Sequence, residues 1–304
     1  MDRQELNHRI YRACFWLTKN ECAHGGVAGD QGGLPYPEVS GYLIPAMLVF
    51  GLDAMAYRSA DWLIDTQCLK CGGWPGWKEN NCENGGECRA FDTSAVVEGL
   101  MYIRQKNNLI TDRYYQAINT AIDCLLSMRI TTDQSLQYIG VSKAGTSMQA
   151  YNLRSASILN GGYSAWAHRI SNTRWAFNNP ERIHYIAYAL EGLKKIGLMD
   201  EHEKVLSQLR GLPRPFNWSY YSGPDGSILP TQTALCTVGN FQMAIQLNDV
   251  ELFDWAARSQ TSGGGFPSTL NGNSVTNGME IDEISWPIKY FLEGATYFYG
   301  AGLK

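Results

Sequence analysis

Ionisable and amide residues recur where strongly apolar stretches begin. Glu38 opens Glu38-Val39-Ser40-Gly41-Tyr42-Leu43-Ile44-Pro45, and Asp92 opens Asp92-Thr93-Ser94-Ala95-Val96-Val97. Asn152 and Arg154 sit in Tyr151-Asn152-Leu153-Arg154, and His184 and Tyr188 in His184-Tyr185-Ile186-Ala187-Tyr188. Gln242 follows Gly239-Asn240-Phe241, while Trp286 and Lys289 lie just after Glu283. Two carboxylates facing across a bond, Glu38 with Asp92 or Glu283, are what glycoside hydrolysis requires. Removing the proton next to a sugar carboxylate needs a base such as His184, Tyr188, Tyr42 or Glu38, plus a sink for the charge. The Arg154 fork suits a carboxylate, and Asn152, Gln242 and Lys289 can bind polar groups. Trp74, Trp77, Trp286 and Tyr290 offer flat faces for sugar rings. Structural readings stand beside these: Asp92 as a helix N-cap, Glu38 as a carboxylate at a helix start, and His184 as a core histidine.

Cysteine spacing points elsewhere. Cys68-Leu69-Lys70-Cys71 is followed by Cys82 and Cys88 in a polar stretch rich in Gly and Asn. Four thiolates close together suit a tetrahedral structural zinc, with free thiols or disulfides as the alternatives. No organic cofactor is indicated.

These residues need a scaffold, and the chain repeats one pattern. A glycine-rich or polar turn leads to a helix apolar all round, and then to a helix with one apolar stripe. All-round apolar helices are buried and striped ones lie outside. Six such hairpins predict an all-α fold, an (α/α)6 toroid forming one domain over 1–304 with a Cys-rich insertion at about 68–88. The alternative is an open solenoid of helical pairs. The segment from Asn152 to His184 is shorter than that from Glu38 to Asp92, so its outer helix must be short or irregular. In a closed toroid the inner helices run parallel. Their N-termini then meet at one mouth, where orphan N–H groups and dipoles favour an anion.

The helix-opening segments around Glu38, Asp92, Tyr151, His184, Thr237 and Trp286 resemble helical-toroid proteins encoded in bacterial polysaccharide-biosynthesis loci. Those are similar in turn to the helical domain of glucuronyl C5-epimerases, and more distantly to squalene-cyclase and prenyltransferase toroids. The resemblance implies the toroid and a role in surface-polysaccharide assembly. It further implies an isomerase or lyase acting on a uronic-acid-like unit, with a hydrolase or a non-catalytic glycan-binding toroid as alternatives. The Cys-rich insertion has no counterpart in that pattern, and the acidic motif of the cyclases is missing.

Composition narrows the partners. Of 304 residues 44% are hydrophobic, ample for a core, and 17 Tyr with 9 Trp favour a carbohydrate partner. A net charge of −4 without a basic run argues against nucleic acid. The N-terminal residues lack the pattern of a signal peptide, and no stretch approaches the ~18 apolar residues of a membrane span. The expected location is cytoplasmic, where thiols stay reduced.

Overall fold

A computed structural model describes residues 1–76, 87–106, 112–127, 129–132, 135–138, 181–223, 225, 227–231, 233–271 and 283–302. The sequence assignments for Trp77, Cys82, Asn152 and Arg154 lie outside the described residues.

Ten helices occur among the described residues: α1 (Arg3–Lys19), α2 (Pro37–Val49), α3 (Asp53–Asp65), α4 (Ala90–Lys106), α5 (Asp112–Ser127), α6 (Ile183–Lys195), α7 (Met199–Arg210), α8 (Thr237–Leu247), α9 (Val250–Ala257) and α10 (Trp286–Tyr299). Helices α2, α4, α6, α8 and α10 form the inner set. In α2 every residue from Pro37 to Ile44 is buried, which only a helix surrounded by protein can satisfy. Helix α5 instead buries Ala117, Ile118, Ala121, Cys124 and Leu125, a stripe at three- and four-residue spacing. Hairpin α2–α3 packs against α4–α5 and hairpin α6–α7 against α8–α9, and α10 packs against both α8 and α2. That last contact joins the final inner helix to the first, so the ring closes and the open solenoid is excluded. The outer partner of α10 is α1, which makes one hairpin from the two ends of the chain.

Inner helices touch in two ways. Where α2 crosses α4, a Cβ at Gly41 would lie 2.6 Å from the Val96 Cα, and Gly99 faces the Gly41 carbonyl just as closely. Glycines here let backbone meet backbone. On the other side Phe241, Phe253, Phe266 and Phe291 fill the space, with ring centroids 5.2–5.8 Å apart. Each buried phenylalanine contributes roughly 1.5–3 kcal/mol.

Short antiparallel strands frame the mouth where the inner helices begin. Strand β3 (Glu181–Arg182) runs into α6 and pairs with β4 (Ser219–Ser222), which pairs with β5 (Ile228–Pro230). Strand β6 (Ala234–Cys236) leads into α8 and pairs with β8 (Thr269–Asn271). Strand β9 (Glu283–Ile284) precedes α10 and pairs with β7 (Phe266–Pro267). A separate hairpin joins β1 (Arg129–Thr132) to β2 (Ser135–Tyr138), just after α5. No helix among the described residues is long and apolar enough to cross a membrane.

Candidate functional site

Pro37 starts α2 with a preset φ and places Glu38 in its first turn, only 5% exposed. Helix α4 begins at Ala90, three residues earlier than an N-cap at Asp92 requires. The N-cap reading of Asp92 is therefore wrong: the residue lies inside the first turn and is 4% exposed. Because α2 and α4 are neighbours, both carboxylates belong to the same mouth.

Tyr36 links them. It precedes α2, is buried, and donates its hydroxyl to the Asp92 carboxylate while feeling the charge of both Asp92 and Glu38. Burial, then those two negative charges, holds the phenol far above its usual range. Glu38 Oε1 accepts a hydrogen bond from the Trp286 indole at 3.2 Å, and the Trp286 ring tilts against Tyr36 with centroids 5.5 Å apart. Three inner helices, α2, α4 and α10, thus meet at one carboxylate pair. The Arg89 guanidinium completes the edge, since a Cβ at Gly76 would lie 2.9 Å from its Nη1 and 3.3 Å from the Tyr36 hydroxyl.

Burial pushes the Asp92 carboxyl up to about 6 from its ordinary 3.8, and the Arg89 charge and the Tyr36 hydrogen bond only partly counter it. Asp92 Oδ1 has no hydrogen-bond partner among the described residues. A carboxylic acid with a free oxygen at a helix-lined mouth can carry a proton near neutral pH.

His184, near the start of α6, forms a second wall. Burial first, and then the Arg182 charge, pushes its imidazole down to about 3, so the ring is neutral. Its Nδ1 lies 3.8 Å from Cys236 Sγ, and burial pushes that thiol up to about 12. Two neutral partners do not form the ion pair of a thiolate nucleophile. Tyr185 and Trp218 flank the imidazole at 4.3 and 5.5 Å between centroids, and Arg182 lies over both rings. One turn further in, Tyr188 contacts Phe91 at 4.8 Å, Tyr290 at 6.1 Å and His184 at 6.3 Å. Tyr188 therefore bridges the His184 wall to the residue beside Asp92.

Other expected site residues fall elsewhere. Tyr42 and Lys289 line a cavity of ≈530 Å³ bounded by Val49, Glu98, Lys195 and Gln246. Those neighbours stand toward the C-terminal ends of the inner helices, so this cavity opens away from Glu38 and Asp92. Lys289 pairs there with Glu293 and lies 3.7 Å from the Tyr290 ring centre. Trp74 is fully buried and donates its indole N–H to the Leu63 carbonyl at 2.8 Å. It is a core residue, because a sugar platform needs an exposed face. Gln242 is fully buried in α8, and neither amide atom has a partner among the described residues. Glu283 accepts from the Trp16 indole and the Thr261 hydroxyl, which latches α1 to the mouth.

Tyr36, Arg89, Arg182 and Trp218 are missed by reading only residues inside the inner helices. Tyr36 and Arg89 each stand in the turn before an inner helix, the one signal that marks them. Among the cysteines, the sulfurs of Cys68, Cys71 and Cys88 all lie within 4.8 Å of one another, which suits a metal ion.

No protein-family model and no curated protein sequence matches the chain. Solved structures do. A novel alpha-amylase from Clostridium perfringens superposes with a TM-score of 0.65 at 12% identity, covering 95% of this chain and 98% of that one. A glycosidase in complex with glucose gives 0.54 at 12% identity, with 97% and 98% covered. A type II terpene cyclase from Scytonema, bound to geranylgeranyl dihydroxybenzoate, gives 0.60 at 12% identity, with 96% of each chain covered. The fold is an α/α toroid. Identity this low carries the fold alone, since toroids host unrelated chemistries. The distant likeness to the cyclase toroids holds at that level.

Proposed function

We propose that the protein is a carbohydrate-active enzyme that cleaves a glycosidic bond at the mouth formed by the N-termini of α2, α4, α6, α8 and α10. One observation carries this reading: two buried carboxyl groups, Asp92 and Glu38, share Tyr36, and burial keeps Asp92 protonated to about pH 6. Asp92 is the general acid that protonates the leaving oxygen. Glu38, oriented by the Trp286 indole, is the opposing carboxylate that activates water or attacks the sugar carbon. The aromatic layer of Tyr188, Tyr290 and Phe91 is the floor on which the ring rests. The names of solved toroids, an alpha-amylase and a glycosidase with glucose, are consistent with a sugar substrate.

A second reading has its own support. His184 is held neutral, the state a base needs, and the inner-helix N-termini suit a uronate carboxylate. An isomerase or lyase of a uronic-acid-like unit in surface-polysaccharide assembly would use it, as the sequence resemblance implies.

The test is a panel of neutral and uronate oligosaccharides. A hydrolase produces a new reducing end, a lyase an unsaturated ultraviolet-absorbing end, and an epimerase incorporates solvent deuterium without cleavage. Asp92→Asn and Glu38→Gln should each slow hydrolysis by about 10²–10⁴-fold. Loss of activity in His184→Ala, with full activity in Asp92→Asn, would replace the hydrolase by the second reading. Binding without any product would leave a glycan-binding toroid.

A further inference from the structure

After α3 the chain makes a tight turn at residues 68–73 against α5. Gly72 N–H donates to the Cys68 carbonyl at 2.7 Å, Cys68 N–H to the Gly73 carbonyl at 3.0 Å, and Gly73 N–H to Cys71 Sγ at 3.5 Å. Gly72 has φ +81°, and a Cβ there would lie 2.7 Å from the Thr120 carbonyl oxygen of α5, so only glycine makes this turn against that helix. Pro75 then pairs with Cys88, and Arg89 N–H donates to the Trp74 carbonyl at 2.9 Å. This pairing returns Cys88 to the Cys68–Cys71 turn and sets the three sulfurs within 4.8 Å of one another.

Ordinary packing gives this corner little. Its buried residues are Cys68, Cys88, Ala90, Cys124 and Leu125, with Cys71 against them, a cluster separate from the main core and built largely of sulfur. Small residues remove little apolar area from water. Cys68 and Cys88 are nonetheless only 1% and 4% exposed. Tetrahedral zinc–thiolate bonds of ~2.3 Å set sulfurs about 3.8 Å apart, which the observed cluster accommodates. A backbone N–H aimed at a sulfur, as at Cys71, stabilises the negative charge a bound thiolate carries.

We propose that Cys68, Cys71 and Cys88 bind one zinc ion as thiolates, and that this centre fixes the start of α4 and with it Arg89 and Asp92. The three thiols release their protons on binding, and zinc's remaining position is filled by solvent or a further donor. The link to the mouth is short. Arg89 adjoins Cys88, and the Thr93 hydroxyl accepts from Trp74 N–H at 3.0 Å, tying the first turn of α4 to the same loop. The role is structural and does not depend on which reaction the mouth performs.

The experiment is elemental analysis and native mass spectrometry of the full chain, purified without chelator and dialysed against trace zinc. About one zinc per chain is expected. Cys71→Ser, at the half-buried position, and Cys88→Ser should each lose most of it, while Cys14→Ser on α1 keeps it. Removing zinc from the wild-type chain with a chelator should speed hydrogen exchange in residues 68–76 and 89–93 and leave α8 and α9 unchanged. A metal-free wild-type chain, a mass deficit showing a disulfide within the trio, or full zinc in both variants would overturn the site. Unchanged exchange after chelation would overturn its role at α4.

Discussion

The two ends of the toroid treat charge in opposite ways. Where the inner helices begin, Glu38 and Asp92 are 5% and 4% exposed, and they share a tyrosine rather than a buried cation. Toward the other end, Lys195 in the last turn of α6 pairs with Glu98, with side chains 39% and 33% exposed. Helix N-termini supply unpaired N–H groups and the positive end of the dipole, so carboxyl groups can be buried there. Desolvation still outweighs that help at Asp92 and keeps a proton on it. Lys195, at the C-terminal end of α6, sits on the favourable end of the dipole and stays partly hydrated. One mouth holds groups poised to react, and the other holds charges already neutralised.

Asp92→Asn should break this contrast most. The folded-state value of about 6 lies above the ordinary 3.8. Between these pH values the folded chain holds a proton that the unfolded chain has lost. Wild-type stability therefore falls as pH rises from about 3.8 to 6, by roughly 3 kcal/mol, and is flat above that window. Asparagine does not titrate. The stability of Asp92→Asn minus that of wild type should then grow by roughly 2 kcal/mol from pH 4 to pH 6.5 in urea unfolding. A difference that does not change with pH would mean that Asp92 is an ordinary hydrated carboxylate.

Trp286→Phe should have a smaller effect. It keeps a ring against Tyr36 and removes the N–H that orients Glu38. Turnover should drop about tenfold, the equivalent of one charged hydrogen bond, with little change in KM. A change confined to KM would make Trp286 a sugar platform and not an orienting donor.

Glu98→Gln at the far end should matter least. The pair with Lys195 is about one-third exposed, so the expected loss is ~0.2–1 kcal/mol, shrinking further in high salt. A larger, salt-insensitive loss would mean that the second mouth is as desolvated as the first.

What the sequence determined by itself is local. Apolar periodicity marks which face of each helix is buried, so the alternation of inner and outer helices, the helical class and the place of Glu38 in a first turn were all legible. The CxxC spacing likewise marked Cys68 and Cys71 as neighbours. Periodicity does not say which partner a buried face meets, nor how deep along the ring a residue stands. Only the tertiary structure paired α10 with α1 and set the Trp16 indole on Glu283, 267 residues away. It moved Tyr42 and Lys289 to the opposite cavity because each lies a turn further along its helix, and it sank Trp74 into the core. It also brought Tyr36 from the turn before α2 between two carboxyl groups on different helices. The proton on Asp92 follows from that convergence, since desolvation depends on everything packed around the group and no segment carries it alone.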